Sequence, residues 1–306
     1  MRLIGVFCLL CGALGITSCS RQVSPGVAVS PAFKTLISPD TKLLAGADLD
    51  ALKTSPFYRR HEKDLNFPAL NSQAERLGVN PLRDVSEVLT AWNGADWLFL
   101  QRGRWNSQDL QKRLITAGAH AAIYRDRTLL GDTPTSVTLF KTVAVEGSTV
   151  AVRRAIDIEA AGNGEVPEEL GERLRTLPKH DQIWTVSRAG LAFANLPMNS
   201  DFETALSNIT GSVRGTTAGL YIDDGVHLSI DLQCVSDAGA TRVHDALRGM
   251  IGIGRLSTKD NQEDLLQAYD AIHVEKKDQT VSVRADLPGN LADRLIASIS
   301  AFGKSR

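Results

Sequence analysis

Apolar and polar positions along the chain spell out one order of elements twice. Residues 85–92 and 97–102 are apolar runs of strand length around Asn93-Gly94, and a helical period opens at Asn106-Ser107. Residues 212–253 have the same order: strand, Asp224-Gly225, strand, Ser236-Asp237, helix. Asn-Gly between apolar runs predicts a tight hairpin, because both turn residues tolerate positive φ. Asn106 or Ser107 can cap the helix that follows, which carries Leu110, Leu114 and Ile115 on one face.

The rest of the pattern extends this order. Residues 43–49 read as a buried strand, 50–66 as a helix interrupted by Pro56, and 68–77 as a short helix closed by Gly78. Residues 120–130 and 136–146 predict a second hairpin around 131–134. Ser148 or Thr149 caps a helix to Ala161, with Val152, Ala155 and Ile156 facing inward. Residues 162–180, with Asn163, Gly164, Pro167 and Pro178, read as a linker holding a short charged helix over 168–177. A strand at 183–188 restarts the pattern, followed by helical segments over 190–196 and 201–208. A helix at 264–272, a hairpin around Asp278-Gln279 and a terminal helix over 290–301 complete it.

Both halves therefore read strand, helical segment, hairpin, helix, hairpin, helix, at an offset of about 130 to 140 residues, too long for a solenoid repeat. The predicted class is α+β: two similar halves, 34–162 and 182–303, each a mostly antiparallel sheet with helices on one face, joined by a linker at 163–181.

The first residues follow a different rule. Arg2 precedes an apolar run over 3–15, too short to span a bilayer and suited to an export signal at 1–18. Ile16-Thr17-Ser18-Cys19 resembles the lipobox of bacterial lipoproteins. The resemblance implies that the Cys19 thiol is diacylglycerylated, that the signal is cut before it, and that its new amine can be acylated. At about 0.8 kcal/mol per buried methylene, two or three chains hold a protein stably to a membrane. The alternative is an ordinary secretory signal with a chance cysteine. In a Gram-negative host, Ser20 after the cysteine would favour the outer membrane, facing the periplasm. Residues 19–33, with Pro25, Gly26 and Pro31, read as a flexible tether. Residues 99–114, with Arg102-Gly103-Arg104-Trp105 stepping into a helix, and 123–131 and 143–162 resemble exported bacterial proteins of the acidobacterial type with two such halves. That likeness implies the architecture and carries no activity.

Composition narrows the class. Hydrophobic residues make up 43% and charged residues 23%, the range of ordinary globular proteins. With 34 basic and 35 acidic residues, and no dense Lys/Arg run, the chain lacks the basic face that displaces counterions from nucleic acid. Cys8 and Cys11 leave with the signal and Cys19 takes lipid, so Cys234 remains alone and reads as a packed core thiol.

The chain carries few signatures of chemistry. No two of the six histidines have helical i, i+4 spacing, and no metal or cofactor motif is present, so no cofactor is predicted. Gly215-Thr216-Thr217-Ala218-Gly219 has the spacing of a nucleophile elbow but lies early in a strand with no helix after it. Its glycines read as admitting a neighbouring backbone. Gly303-Lys304-Ser305 lacks the upstream glycine of a phosphate loop, and the glycines of 249–254 end a helix where a dinucleotide fingerprint opens one. Asp48 and Asp50 follow the first strand, with Asp50 the candidate helix cap; Asp223-Asp224 read as a turn. Trp92 and Trp97 flank the first turn and Trp105 precedes the helix, so these three form a candidate binding patch or pack across strands.

The function these readings predict is a lipid-anchored envelope protein, non-enzymatic, binding a partner protein or small ligand through its sheet or the groove between its halves. Two alternatives stand beside it. A lipid-anchored hydrolase predicts scattered Asp, Glu, His or Ser converging in one pocket. An assembly factor predicts an exposed apolar patch and no pocket.

Overall fold

A computed structural model of the chain describes residues 26–63, 79–131, 134–190, 209–259 and 261–304. Cys19 and its lipobox, the helix predicted at 68–77, the segments predicted at 191–196 and 201–208, and Asp132-Thr133 lie outside the described residues.

The fold is α+β, as predicted. The first half supplies β1 (Leu43–Asp48), β2 (Val85–Trp92), β3 (Trp97–Gly103), β4 (Ala121–Tyr124), β5 (Arg127–Leu130), β6 (Thr135–Phe140) and β7 (Val143–Ser148). The second supplies β8 (Ile183–Ser187), β9 (Val213–Ile222), β10 (Val226–Cys234), β11 (Ile272–Lys277) and β12 (Thr280–Leu287). These strands join in one sheet, ordered β11-β12-β10-β9-β8-β1-β2-β3-β7-β6-β5-β4. Every pairing in it is antiparallel. There is one sheet because the two first strands pair with each other: Leu43 lies opposite Ser187 and Gly46 opposite Trp184. Outward from that β1–β8 seam both sides follow one order: three successive strands, then the last of the half, then the one before it. The β4–β5 hairpin is an addition at one edge.

Local chemistry explains the element ends. The short helices α1 (Pro31–Lys34), α2 (Leu49–Thr54), α3 (Pro56–His61) and α4 (Pro81–Asp84) surround β1 and β2 in sequence. Asp48, not Asp50, caps α2, its Oδ1 accepting the Ala51 N–H at 2.8 Å. The strand ends at Asp48, which puts that residue in extended backbone at the helix mouth. Asn106 caps α5 (Ser107–Thr116) through the Gln108 and Asp109 N–H groups. Ser148 caps α6 (Thr149–Ala161), and Gly162 ends it at φ +67°. Then come α7 (Glu168–Thr176), α8 (Asp237–Ser257, capped by Ser236), α9 (Glu263–Asp270) and α10 (Gly289–Lys304).

Two turns differ from the reading of the sequence. The first hairpin closes over four residues, because the Asn93 side-chain oxygen accepts the N–H groups of both Ala95 and Asp96 and draws them into the loop. The hairpin predicted around 131–134 is present as the β5–β6 pairing, but each of its predicted strands, 120–130 and 136–146, is itself a hairpin, β4–β5 and β6–β7. Their turns use Arg125 at φ +52° and Lys141 at φ +34°, residues that announce no turn in a sequence.

Helices are not confined to one face. Residues opposite each other across antiparallel strands share a face. Leu44, Leu100, Val145 and Val186 meet Val152 and Ile156 of α6 in the larger core. Leu232 and Val281 face the other way and meet Ala240 and Val243 of α8. On that second face Gln111 of α5 also reaches Thr128 Oγ1 at 3.4 Å. Residues 26–33, predicted as tether, are packed onto the body: Val27, Val29 and Phe33 join the larger core, their apolar side chains taken in at alternate positions. Cys234 is fully buried in the smaller core, and burial pushes its thiol pKa up, which suits a packing role.

Candidate functional site

At the seam, the segment predicted as linker lies on the sheet. Helix α7 buries Leu170, Arg173 and Leu174, and the chain then buries Leu177, Asp181 and Gln182 on its way into β8. Two glycines of β9 admit this segment. A β-carbon at Gly215 would lie 2.7 Å from Arg173 Cζ, and one at Gly219 would lie 2.8 Å from Asp181 Cγ. These glycines therefore make room for charged side chains, not for a neighbouring backbone. Gly46 of β1 does the same for the Trp184 indole, whose Cε2 would be 2.6 Å from a β-carbon there.

These approaches leave a cavity of about 200 Å³. Its walls are the ends of β1 and β2 (Asp48, Glu87, Leu89), Asp181 and Trp184, and the incoming segment 26–30 with Phe33. Trp184 is 8% exposed, and its indole and Leu89 make much of the wall apolar. Three carboxylates line it against one lysine, Lys179. Glu87 is engaged by Arg102 at 2.8 Å, and Asp48 by the α2 cap. Asp181 is different. It is 8% exposed, and its Oδ2 is fully buried without a hydrogen-bond partner. His180 Nε2 stands 4.0 Å from its other oxygen. Burial raises the Asp181 pKa above the ordinary carboxylate range, and the charge of His180 partly opposes this. A buried, unpaired carboxyl costs about 1–3 kcal/mol and marks a functional candidate when it lines a cavity.

A polar cluster adjoins this end of the sheet. The His180 ring meets Tyr221 edge-on at 4.4 Å, and Tyr221 stacks on His227 at 5.6 Å. His227 Nδ1 lies 2.8 Å from Asp286 and Nε2 3.2 Å from Asp223. Its pKa is raised, chiefly by the hydrogen bond to Asp286. Asp223 also shapes the β9–β10 turn by accepting the Gly225 N–H.

The tryptophan patch does not assemble as one surface. Trp92 and Trp97 are cross-strand partners, and Trp97 is 39% exposed. The crevice beside them holds about 30 Å³, too little for a ligand of any size. Trp105 belongs to the other end of β3, about 20 Å away at some 3.3 Å per residue. There it covers Gly103, and its Nε1 is buried without a partner. Asp48 and Gly219 are singled out by the sequence; Asp181 and Trp184, which line the cavity, are not. The available signal was an acidic residue two positions before an apolar strand, with glycines on the strands to either side.

Among the described residues no group of three or more His, Cys, Asp or Glu is placed to hold a metal, and no helix is long and apolar enough to cross a membrane.

No family model matches the chain, and no curated protein matches it. Solved structures do. The chain is similar to crystal form III of TP0453, at 10% identity and a TM-score of 0.52, covering 90% of this chain and 99% of that one. Forms IV and I give TM-scores of 0.49 and 0.48 at 10% and 11% identity, over 89% and 90% of this chain and 97% and 98% of those. The likeness to form III shows a shared fold.

Proposed function

We propose that this chain is a lipid-anchored protein of the cell envelope, carried on Cys19, that binds a small ligand in the cavity at the seam of a duplicated body. The observation that carries the reading is Asp181, a carboxyl buried at a cost in stability beside empty volume. Folding alone favours an apolar or hydrogen-bonded group there, so its retention points to an occupant. The common strand order on the two sides of the seam supports duplication, and the lipobox supports the anchor. The test is native mass spectrometry of the full chain released from detergent micelles. A small mass retained by the wild type and lost from Gly219→Val, which drives the Asp181 carboxyl off its seat, is the expected result. The same bare mass for both proteins overturns the reading.

A second reading, an envelope assembly factor, draws on one observation. Ile253 and Leu256 near the end of α8 are 66% and 87% exposed. Under that reading Leu256→Lys abolishes co-purification of a partner from solubilised membranes while leaving the cavity's occupant in place.

A further inference from the structure

The sheet edge beyond the first half has the chemistry of a pairing surface. Only the β4–β5 hairpin lacks a counterpart across the seam, and it places β4 at that edge with β5 as its one neighbour. The Gly131 N–H donates to the His120 carbonyl at 2.9 Å. By antiparallel alternation His120, Ala122 and Tyr124 therefore turn their backbone groups toward β5. Ala121 and Ile123 turn theirs outward, where β4 has no neighbouring strand among the described residues. Ala121, Ala122 and Ile123 are exposed, Ile123 at 75%. No residue from 120 to 124 carries a formal charge at pH 7.

The opposite edge is protected. Along β11 the exposed positions are His273, Glu275 and Lys277, Lys276 is held by Asp237, and α8 and α9 lie against the strand. Charge and cover of this kind keep an edge from pairing with another chain. They also oppose a head-to-tail contact of β4 with β11, which would run on into a fibre. Pairing of β4 with β4 closes after two copies.

We infer that β4 is a homodimer edge, pairing antiparallel with β4 of a second copy about a two-fold axis at Ala122. In that register Ala121 lies opposite Ile123 of the second copy, and Ile123 opposite its Ala121. Every N–H and C=O that the two strands turn outward then finds a partner, and no like charges meet. A shift by two residues leaves some of those groups unpaired. Ile123 shares a face with its neighbour Thr128, which Gln111 of α5 reaches, and there it packs over the small Ala121 of the second copy. The axis stands perpendicular to the sheet, so the two copies present the same face. Residues 26–33, packed into the larger core, therefore start from the same side in both, which suits two chains anchored in one membrane. Such anchoring raises the effective concentration, and a strand contact this short gains from it. The pairing itself depends on neither the anchor nor the seam cavity.

Oxidative crosslinking of the full chain in detergent micelles tests the register. Ala122 lies on the axis and faces itself as a non-hydrogen-bonded pair, with Cα atoms about 4.5 Å apart and within disulfide reach. Ala121→Cys and Ile123→Cys put like thiols on diagonal positions about 7–8 Å apart, beyond that reach. Cys234 is fully buried and contributes no background. Ala122→Cys is expected to form a covalent dimer at least tenfold faster than either of those variants or the wild type. Adding Ile123→Pro removes one outward N–H from each copy and spares the ladder to β5, so crosslinking should slow at least tenfold. Adding Ile123→Lys, which charges the edge and keeps the strand, should do the same. Urea unfolding shows that each variant is folded. No dimer from Ala122→Cys, equal rates from thiols at 121, 122 and 123, or a rate unmoved by both changes at Ile123 overturns the assignment.

Discussion

The fit of Gly46 to Trp184 can be measured as a coupling energy. The two residues lie opposite each other across the seam, and a β-carbon at position 46 would come within 2.6 Å of Cε2 and 3.1 Å of Cη2 of the indole. The ring has little room to yield: Trp184 is 8% exposed and packed into the larger core. Overfilling such a site costs about 1–3 kcal/mol. Replacing glycine by alanine in a strand also returns about 0.5–1 kcal/mol through the unfolded chain. Gly46→Ala should therefore destabilise the wild type by about 0.5–2 kcal/mol. In a Trp184→Leu background the obstruction is gone, and the same substitution should stabilise by about 0.5–1 kcal/mol. The backbone contribution cancels in the cycle, leaving a coupling of about 1–3 kcal/mol. Urea unfolding of the four proteins, followed by far-ultraviolet circular dichroism with m-values compared, measures it. Additive effects within about 0.5 kcal/mol would refute the packing of the seam and the cavity drawn from it.

Further outcomes follow from particular groups. The His227 pKa is raised in the fold, so its contribution to stability is complete below its unfolded value near 6.5 and is lost as pH rises through the folded value. His227→Gln should flatten that part of the stability–pH curve. Asp181 has the opposite consequence. A carboxyl whose folded pKa is raised destabilises once pH exceeds its unfolded value near 3.9, so Asp181→Asn should unfold at higher urea than wild type at pH 7 and lose that advantage in acid. Asp48→Ala should cost about 0.5–2 kcal/mol as loss of the α2 cap. Asp50→Ala, which removes only exposed ion pairs to Lys53 and Arg104, should cost less than about 1 kcal/mol in the same urea assay. Cys19→Ser should leave the precursor unprocessed and move the protein out of the detergent-extracted membrane fraction; unchanged fractionation would rule out the lipid anchor.

By itself the sequence determined what depends on near neighbours. The helix starts at 106–107, 148–149 and 236–237 and the Asp278-Gln279 turn rest on contacts between residues a few positions apart, and the turn and cap residues show them directly. The inward positions Val152, Ala155 and Ile156 follow from the helical period alone. Where turn chemistry was silent, as at Arg125 and Lys141, the local reading failed too. Only the tertiary structure decided that two first strands some 140 residues apart pair to make one sheet, an expensive long-range closure that no local signal encodes. It alone decided that Gly46 and Gly219 are spaces reserved for an indole and a carboxyl, and that helices cover both faces. A residue's role at such a place depends on what another strand brings opposite to it, and that is a property of register and packing, not of the residue's own neighbours in the chain.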